Sequence, residues 1–312
     1  MKQTTSTILM IRPANFGFNI ETTTNDFHQK EGFTKVGDIN DLANIEFDRF
    51  VAALVDQGVK VLTVEDTDEP VKCDAVFPNS WFSTHSDGKL ILYPMLSPNR
   101  RLERRKDLVA KLLQQDFKVK EIIDLSFFEE DEQFLEGTGS MVMDHQAKLI
   151  YACRTERTHP VPLGYLAKLL NYKLINFTAV QVINGEQAPV CYTNEMMHIG
   201  SDLAVICLDC IVKTSEKQTV QKFLTQSGKK VVPITIKQKS NFAGNMLEVT
   251  NDGGEKFTVM SQTALDSLTI GQIQLIEKYT TIISPSIPTI ESFGGGSARS
   301  MMAEIFLPRE VI

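Results

Sequence analysis

The chain has 312 residues, 42% of them hydrophobic and 23% charged, with a formal net charge of −7. That length and apolar content support a buried core of one large domain or two ordinary ones and argue against disorder. The acidic balance argues against a nucleic-acid footprint, which needs clustered Lys and Arg.

In chain order, "TILMIRP" is read as a strand, Asp41 to Gln57 as a helix, and "VKVLTVE" as a second strand. Four hairpins are expected after them. The first runs from Val76 to Pro94 and turns at Ser86-Asp87-Gly88. The second, Phe134 to Cys153, turns around His145-Gln146-Ala147, and the third, Cys191 to Ile211, at Gly200-Ser201-Asp202. The fourth, Phe242 to Ser261, carries the strong turn signal Asn251-Asp252-Gly253-Gly254.

Each hairpin precedes a helical pattern and then a return strand. Residues 100–115 place Leu102, Val109, Leu112 and Leu113 at helical spacing, and residues 161–171 do so with Leu163, Leu166 and Leu170. Residues 215–227 and 265–280 follow, the latter through Leu268, Ile273, Ile276 and Tyr279. The return strands are "VKEIIDLS", "YKLINFTAV", "KKVVPITIK" and "TIISPSIPTI". The chain therefore reads as five ββαβ-type repeats of roughly 50–60 residues in a single α/β domain over residues 1–312. Set in a ring, these units would bring loop ends from every repeat to one central pocket.

Other features carry less. "NRRLERRK" (Asn99 to Lys106) reads as a solvated helix face. The five cysteines are scattered, and Cys207 and Cys210 of "AVICLDCI" read as small core residues of a buried strand. Metal, cofactor and membrane span are not expected, and a cytoplasmic location is the default reading. An oligomer remains possible. His28 in a polar loop, His145 on a turn and His159 before Pro160 read as solvated, while His198 in "MMHIG" is a weaker pocket candidate.

Six segments then carry a resemblance: "MIRPANFGFN", "FPNSWFSTH", "LEGTGSMVMD", "YTNEMMHIG", "FAGNML" and "GGGSARSMMAEIF". Together with the repeat pattern, they resemble the pentein-fold guanidine-modifying superfamily, most of all its bacterial amidinotransferase-like branch that includes citrulline hydrolases. The resemblance implies a pentein fold, metal-free hydrolysis of C–N bonds, and a small ureido or guanidino ligand. In such enzymes a cysteine thiolate attacks the planar carbon, a histidine moves protons, and carboxylates grip the N–H groups.

By that resemblance Glu136 matches the substrate-gripping carboxylate. Asn79 stands where many relatives carry aspartate, and its amide suits a ureido group better than a guanidinium. Asn194 and Arg299 fall in the matched motifs as substrate-binding positions. Two positions depart: Tyr192 stands where the family's histidine belongs, and Ser300 where its cysteine nucleophile belongs. A serine hydroxyl needs an adjacent base, and a tyrosine with a pKa of about 10 is a poor one. His85, in "WFSTH", is the best candidate to stand in. Three readings follow: an active hydrolase, a catalytically silent relative that binds a ligand or partner, and an interaction module that keeps only the fold.

Overall fold

The computed structural model describes residues 2–22, 36–105, 107–108, 111–112, 117–183 and 185–309. His28, Lys106, Val109 and Leu113 lie outside the described residues.

The repeat pattern appears as five three-stranded sheets with one shared topology, an antiparallel pair followed by a parallel third strand. The first sheet contains β1 (Thr7–Arg12), followed by the helix Val36–Val55 and the parallel strand β2 (Lys60–Glu65). The second pairs β3 (Phe82–Thr84) with β4 (Lys89–Leu92), then β5 (Glu121–Asp124). The third pairs β6 (Val142–Asp144) with β7 (Leu149–Cys153); the helix Pro160–Leu170 then leads to β8 (Lys173–Phe177). A small hairpin, β9 (Val180–Ile183) with β10 (Glu186–Pro189), follows outside the repeat.

The fourth sheet holds β11 (Met197–Ile199) and β12 (Leu203–Ile206), then the helix Thr214–Gln226 and β13 (Lys230–Pro233). The fifth holds β14 (Leu247–Thr250), β15 (Lys256–Val259) and β16 (Thr281–Ile283). The last strand, β17 (Ala303–Glu304), runs antiparallel to β1, so both ends of the chain build the first sheet.

All four turns fall at the expected positions; three of them carry Gly, Asn or Asp, residues that set backbone geometry locally. The helices are less regular than their apolar spacing suggests. The expected helix over 100–115 begins as the short helix Pro98–Arg101. The one over 265–280 breaks at Leu268 into Gln262–Ser267 and Ile270–Glu277. Capping explains the break: Ser261 and Thr269 each accept a backbone N–H, which starts a new helix at each position. "TIISPSIPTI" is a strand only over β16; Pro288 then opens the helix Pro288–Gly294.

Apolar side chains on the inner faces of these sheets and on the facing sides of the helices form the core, with Trp81, Phe16, Phe47, Phe50, Tyr151 and Phe177 almost wholly buried. Cys207 and Cys210 are fully buried, their sulfurs 3.4 Å apart. They stand beyond the end of β12, Cys210 in the 3-10 turn Leu208–Cys210.

Candidate functional site

The sequence between Ile290 and Met301 is folded by one aromatic ring. The helix Pro288–Gly294 ends at Gly295, whose φ of 73° is the left-handed cap that glycine favours. A Cβ on Gly294 or on Gly296 would lie 2.7 Å from the Phe77 ring. The triple glycine thus lets the chain turn closely around Phe77, and the 3-10 turn Ala298–Met301 then presents Ser300. Asn245 fixes that turn: its Oδ1 accepts from the Arg299 amide at 3.0 Å, and its Nδ2 donates to Ser300 Oγ at 3.4 Å.

Ser300 opens on a pocket lined also by Phe77, Asn79, Arg100, Tyr192 and Asn194. It admits about 30 Å³ of solvent, room for one or two waters. The Nδ2 donors of Asn79 and Asn194 and the Oδ1 acceptor of Asp74 are buried there without hydrogen-bond partners among the described residues.

Glu136 lies behind Tyr192 and is fully buried. Arg157 Nη1 donates to both of its oxygens, at 2.9 and 3.0 Å, and the Tyr192 hydroxyl donates to Oε2. Leu96 N donates to Oε1 at 3.0 Å, and Arg100 Nη1 stands 3.9 Å from Oε2. Burial alone would raise the Glu136 pKa, but the Arg157 and Arg100 charges and the Tyr192 hydrogen bond outweigh it and hold the carboxyl below its ordinary value. Burial pushes the Tyr192 hydroxyl well above its ordinary value, and the Arg157 guanidinium sits 5.4 Å from the centre of its ring. A hydroxyl so protonated cannot serve as a base for Ser300 near neutral pH.

Several expectations change. Arg299 does not face the Ser300 pocket; it donates to the Met302 carbonyl at 2.8 Å and pairs with Glu304 at 3.0 Å in a neighbouring cavity. The 3-10 turn rotates successive side chains by about a third of a circle, so Arg299 and Ser300 diverge. His85 is also elsewhere, bonded to Ser83 at 2.9 Å in a cavity with His145 and Glu304. Burial pulls its pKa down to about 4. His145 is buried rather than solvated, with Nδ1 3.0 Å from the Tyr172 hydroxyl. His159 accepts from Val161 N as a helix cap.

The basic cluster is not a solvated face throughout. Arg100 is buried, paired with Glu103 at 2.9 Å, and lines the Ser300 pocket. Arg157, Arg100 and Asp74 are site residues that sequence reasoning missed. Arg157 sits in a loop without periodicity, and Arg100 stands in a run of cations whose described members are also partly buried, Arg101 and Arg104 against Glu129 and Arg105 against Asp66.

The structure therefore brings together Ser300, Asn79, Asn194, Tyr192 and Glu136, and separates His85 and Arg299 from them. Among the described residues no group of three or more His, Cys, Asp or Glu side chains could hold a metal ion, and no helix is long and apolar enough to cross a membrane.

A family model described as N,N-dimethylarginine dimethylhydrolase, eukaryotic, matches residues 12–307. No curated protein sequence matches the chain. Among solved structures, it is similar to the N-terminal domain of ArgZ, an arginine dihydrolase from the ornithine–ammonia cycle in Cyanobacteria, in a substrate-bound mutant. Identity is 14% and the TM-score 0.69, over 96% of this chain and 99% of that one. The complex of AgrE with ornithine and NAD+ matches at 14% identity and a TM-score of 0.72, over 98% of this chain but 40% of that longer one. A mutant dimethylarginine dimethylhydrolase from Pseudomonas aeruginosa, complexed with citrulline, matches at 11% identity and 0.66, over 97% and 100%. At such identities the likeness concerns the fold, which is the mixed α/β fold of the penteins.

Proposed function

The chain belongs to the family of eukaryotic-type N,N-dimethylarginine dimethylhydrolases, and from that membership we propose that it is a non-hydrolytic member that binds a small neutral ureido or amide compound beside Ser300. The observation that carries this reading is the state of Glu136. Both of its oxygens are taken by the chain's own Arg157 and Tyr192, so the acceptor that would grip a guanidinium is already occupied by one.

The remaining polar atoms support a neutral ligand. Asn79 Nδ2 and Asn194 Nδ2 offer donors to a carbonyl oxygen, and Asp74 Oδ1 offers an acceptor to an amide N–H. A guanidinium carries five donors and no acceptor, so it would leave both amides unmatched. Among the described residues Ser300 has no histidine base: its hydroxyl accepts from Asn245, and none of the described histidines lines its pocket. Behind this reading stands one domain in which five repeats ring the central cavities. Contacts of β17 with β3, of β6 with β11 and of β11 with β14 support that arrangement.

The test is an assay for release of ammonia, alkylamine, ornithine or citrulline from citrulline, arginine, agmatine and dimethylarginine, with calorimetry alongside. The expected result is no turnover by the wild type or by Ser300→Cys, and citrulline binding at least tenfold tighter than arginine. Turnover of any of them by the wild type would sink the proposal. The narrowness of the pocket favours a second reading, a partner-binding role with no small ligand; absence of any calorimetric signal would put that reading in its place.

A further inference from the structure

On the other side of Asn194 from Ser300 lies a second cavity, lined also by Gln3, His198, Glu248, Arg299 and Glu304. It too admits about 30 Å³ of solvent, enough for one or two water-sized species. Its charges do not cancel. Arg299 is matched by Glu304 at 3.0 Å. Glu248, 1% exposed, has no ion-pair partner among the described residues. Its Oε1 accepts from the Ser201 amide at 2.9 Å and from the Ser201 hydroxyl at 2.5 Å. Its Oε2 has no hydrogen-bond partner among the described residues.

His198, 3% exposed, points a second bare acceptor into the same space. Its ring is hydrogen-bonded to the backbone of Met246, and Nε2 has no partner among the described residues. The bonded nitrogen is therefore Nδ1, donating to the carbonyl, which leaves Nε2 with its lone pair. A methyl built on Gly200 would stand 2.5 Å from Glu248 Oε2 and 3.4 Å from His198 Nε2, so the two atoms lie close together, and both residues line the same small cavity.

Two buried acceptors around one void need a donor between them, and an unpaired buried carboxylate needs a cation. A water would meet the first need and not the second. Hard cations such as sodium, magnesium and calcium take oxygen ligands, and an imidazole nitrogen suits them poorly. Ammonium meets both needs: it is water-sized, carries a unit positive charge, and donates N–H to nitrogen and oxygen lone pairs alike. We propose that the void between His198 and Glu248 is a binding site for the ammonium ion, which donates one N–H to Glu248 Oε2 and another to His198 Nε2.

The experiment titrates the intact protein with ammonium chloride, against sodium and potassium chloride at equal ionic strength, and follows the melting temperature. The expected result is a saturable rise with ammonium at least tenfold more potent than with potassium. In parallel, a ¹⁵N-ammonium NMR spectrum should show a bound resonance shielded from exchange with water. In Glu248→Gln the new amide can donate to His198 Nε2 itself, so the variant should fold and lose both signatures. Equal shifts with ammonium and potassium, or no bound ¹⁵N-ammonium signal, would mean a bridging water and overturn the proposal. The wild-type titration and spectrum decide the matter even if Glu248→Gln does not fold.

Discussion

The two cavities flanking Asn194 are alike in size and differ in how their carboxylates are partnered. Around Ser300, Arg157 and Arg100 stand against Glu136, Glu103 and Asp74, and each carboxylate has a guanidinium within reach. Around His198, the Arg299–Glu304 pair is self-contained and Glu248 is left over. The three carboxylates around Ser300 share two guanidiniums, so the contrast is one of contact: each of them has a guanidinium within 3.9 Å, and Glu248 has none among the described residues. At Ser300 the guanidiniums of Arg157 and Arg100 already engage the acids, whereas in the neighbouring cavity one acid is left without a cation among the described residues.

Among single substitutions the largest expected effect tests the grip of Arg157 on Glu136. Arg157→Met removes the cation from a fully buried Glu136 and should cost about 3–5 kcal/mol in urea unfolding. A loss below about 1 kcal/mol would show that Arg157 does not hold the Glu136 charge, and the contrast between the cavities would fall.

Acid should act mainly through the second cavity and its neighbour. Burial pulls the pKa of His145 and of His198 down to about 3, and that of His85 to about 4, against about 6.5 in an unfolded chain. The native state then binds fewer protons than the unfolded one. Stability is fully present above pH 6.5 and is lost as pH falls toward the folded values. At pH 4.5 the loss should reach about 2–3 kcal/mol for each histidine. Glu136, with its lowered pKa, adds to the same trend at the acid end, from the unfolded carboxyl value downward. Urea midpoints measured from pH 7.5 to 4.5 check this, and a flat profile would contradict neutral buried imidazoles.

Gly294→Ala places a methyl 2.7 Å from the Phe77 ring and should cost about 1–3 kcal/mol by overpacking, read as a lower melting temperature. Ser300→Ala should be mildest. It removes one long hydrogen bond from Asn245 and should change stability by about 1 kcal/mol or less. A larger loss would make Ser300 a structural anchor rather than a residue facing a ligand.

The repeat architecture was legible because its signals are local. Asp87-Gly88 and the Asn251 to Gly254 run set their turns within a few residues, and alternation of apolar residues sets each strand's inner face. The hairpin β9–β10 escaped because it falls between the return strand that ends at Val180 and the hairpin expected from Cys191, outside the repeat pattern. At the site, motif position located Glu136, Tyr192 and Ser300 and did not give the direction of neighbouring side chains. Arg299 and Ser300 are adjacent in sequence yet line different cavities, because a 3-10 turn rotates each residue by about a third of a circle.

By itself the sequence determined the five ββαβ units, the family, and the hydroxyl side chains at Tyr192 and Ser300. The tertiary structure decided who partners whom. Glu136 meets Arg157 and Tyr192 across 21 and 56 residues of chain, and Glu248 meets the turn at Ser201 across 47. Secondary structure follows short-range backbone preferences that a sequence displays directly. The pairing of buried charges depends on how separate sheets are brought together, and no local pattern encodes that.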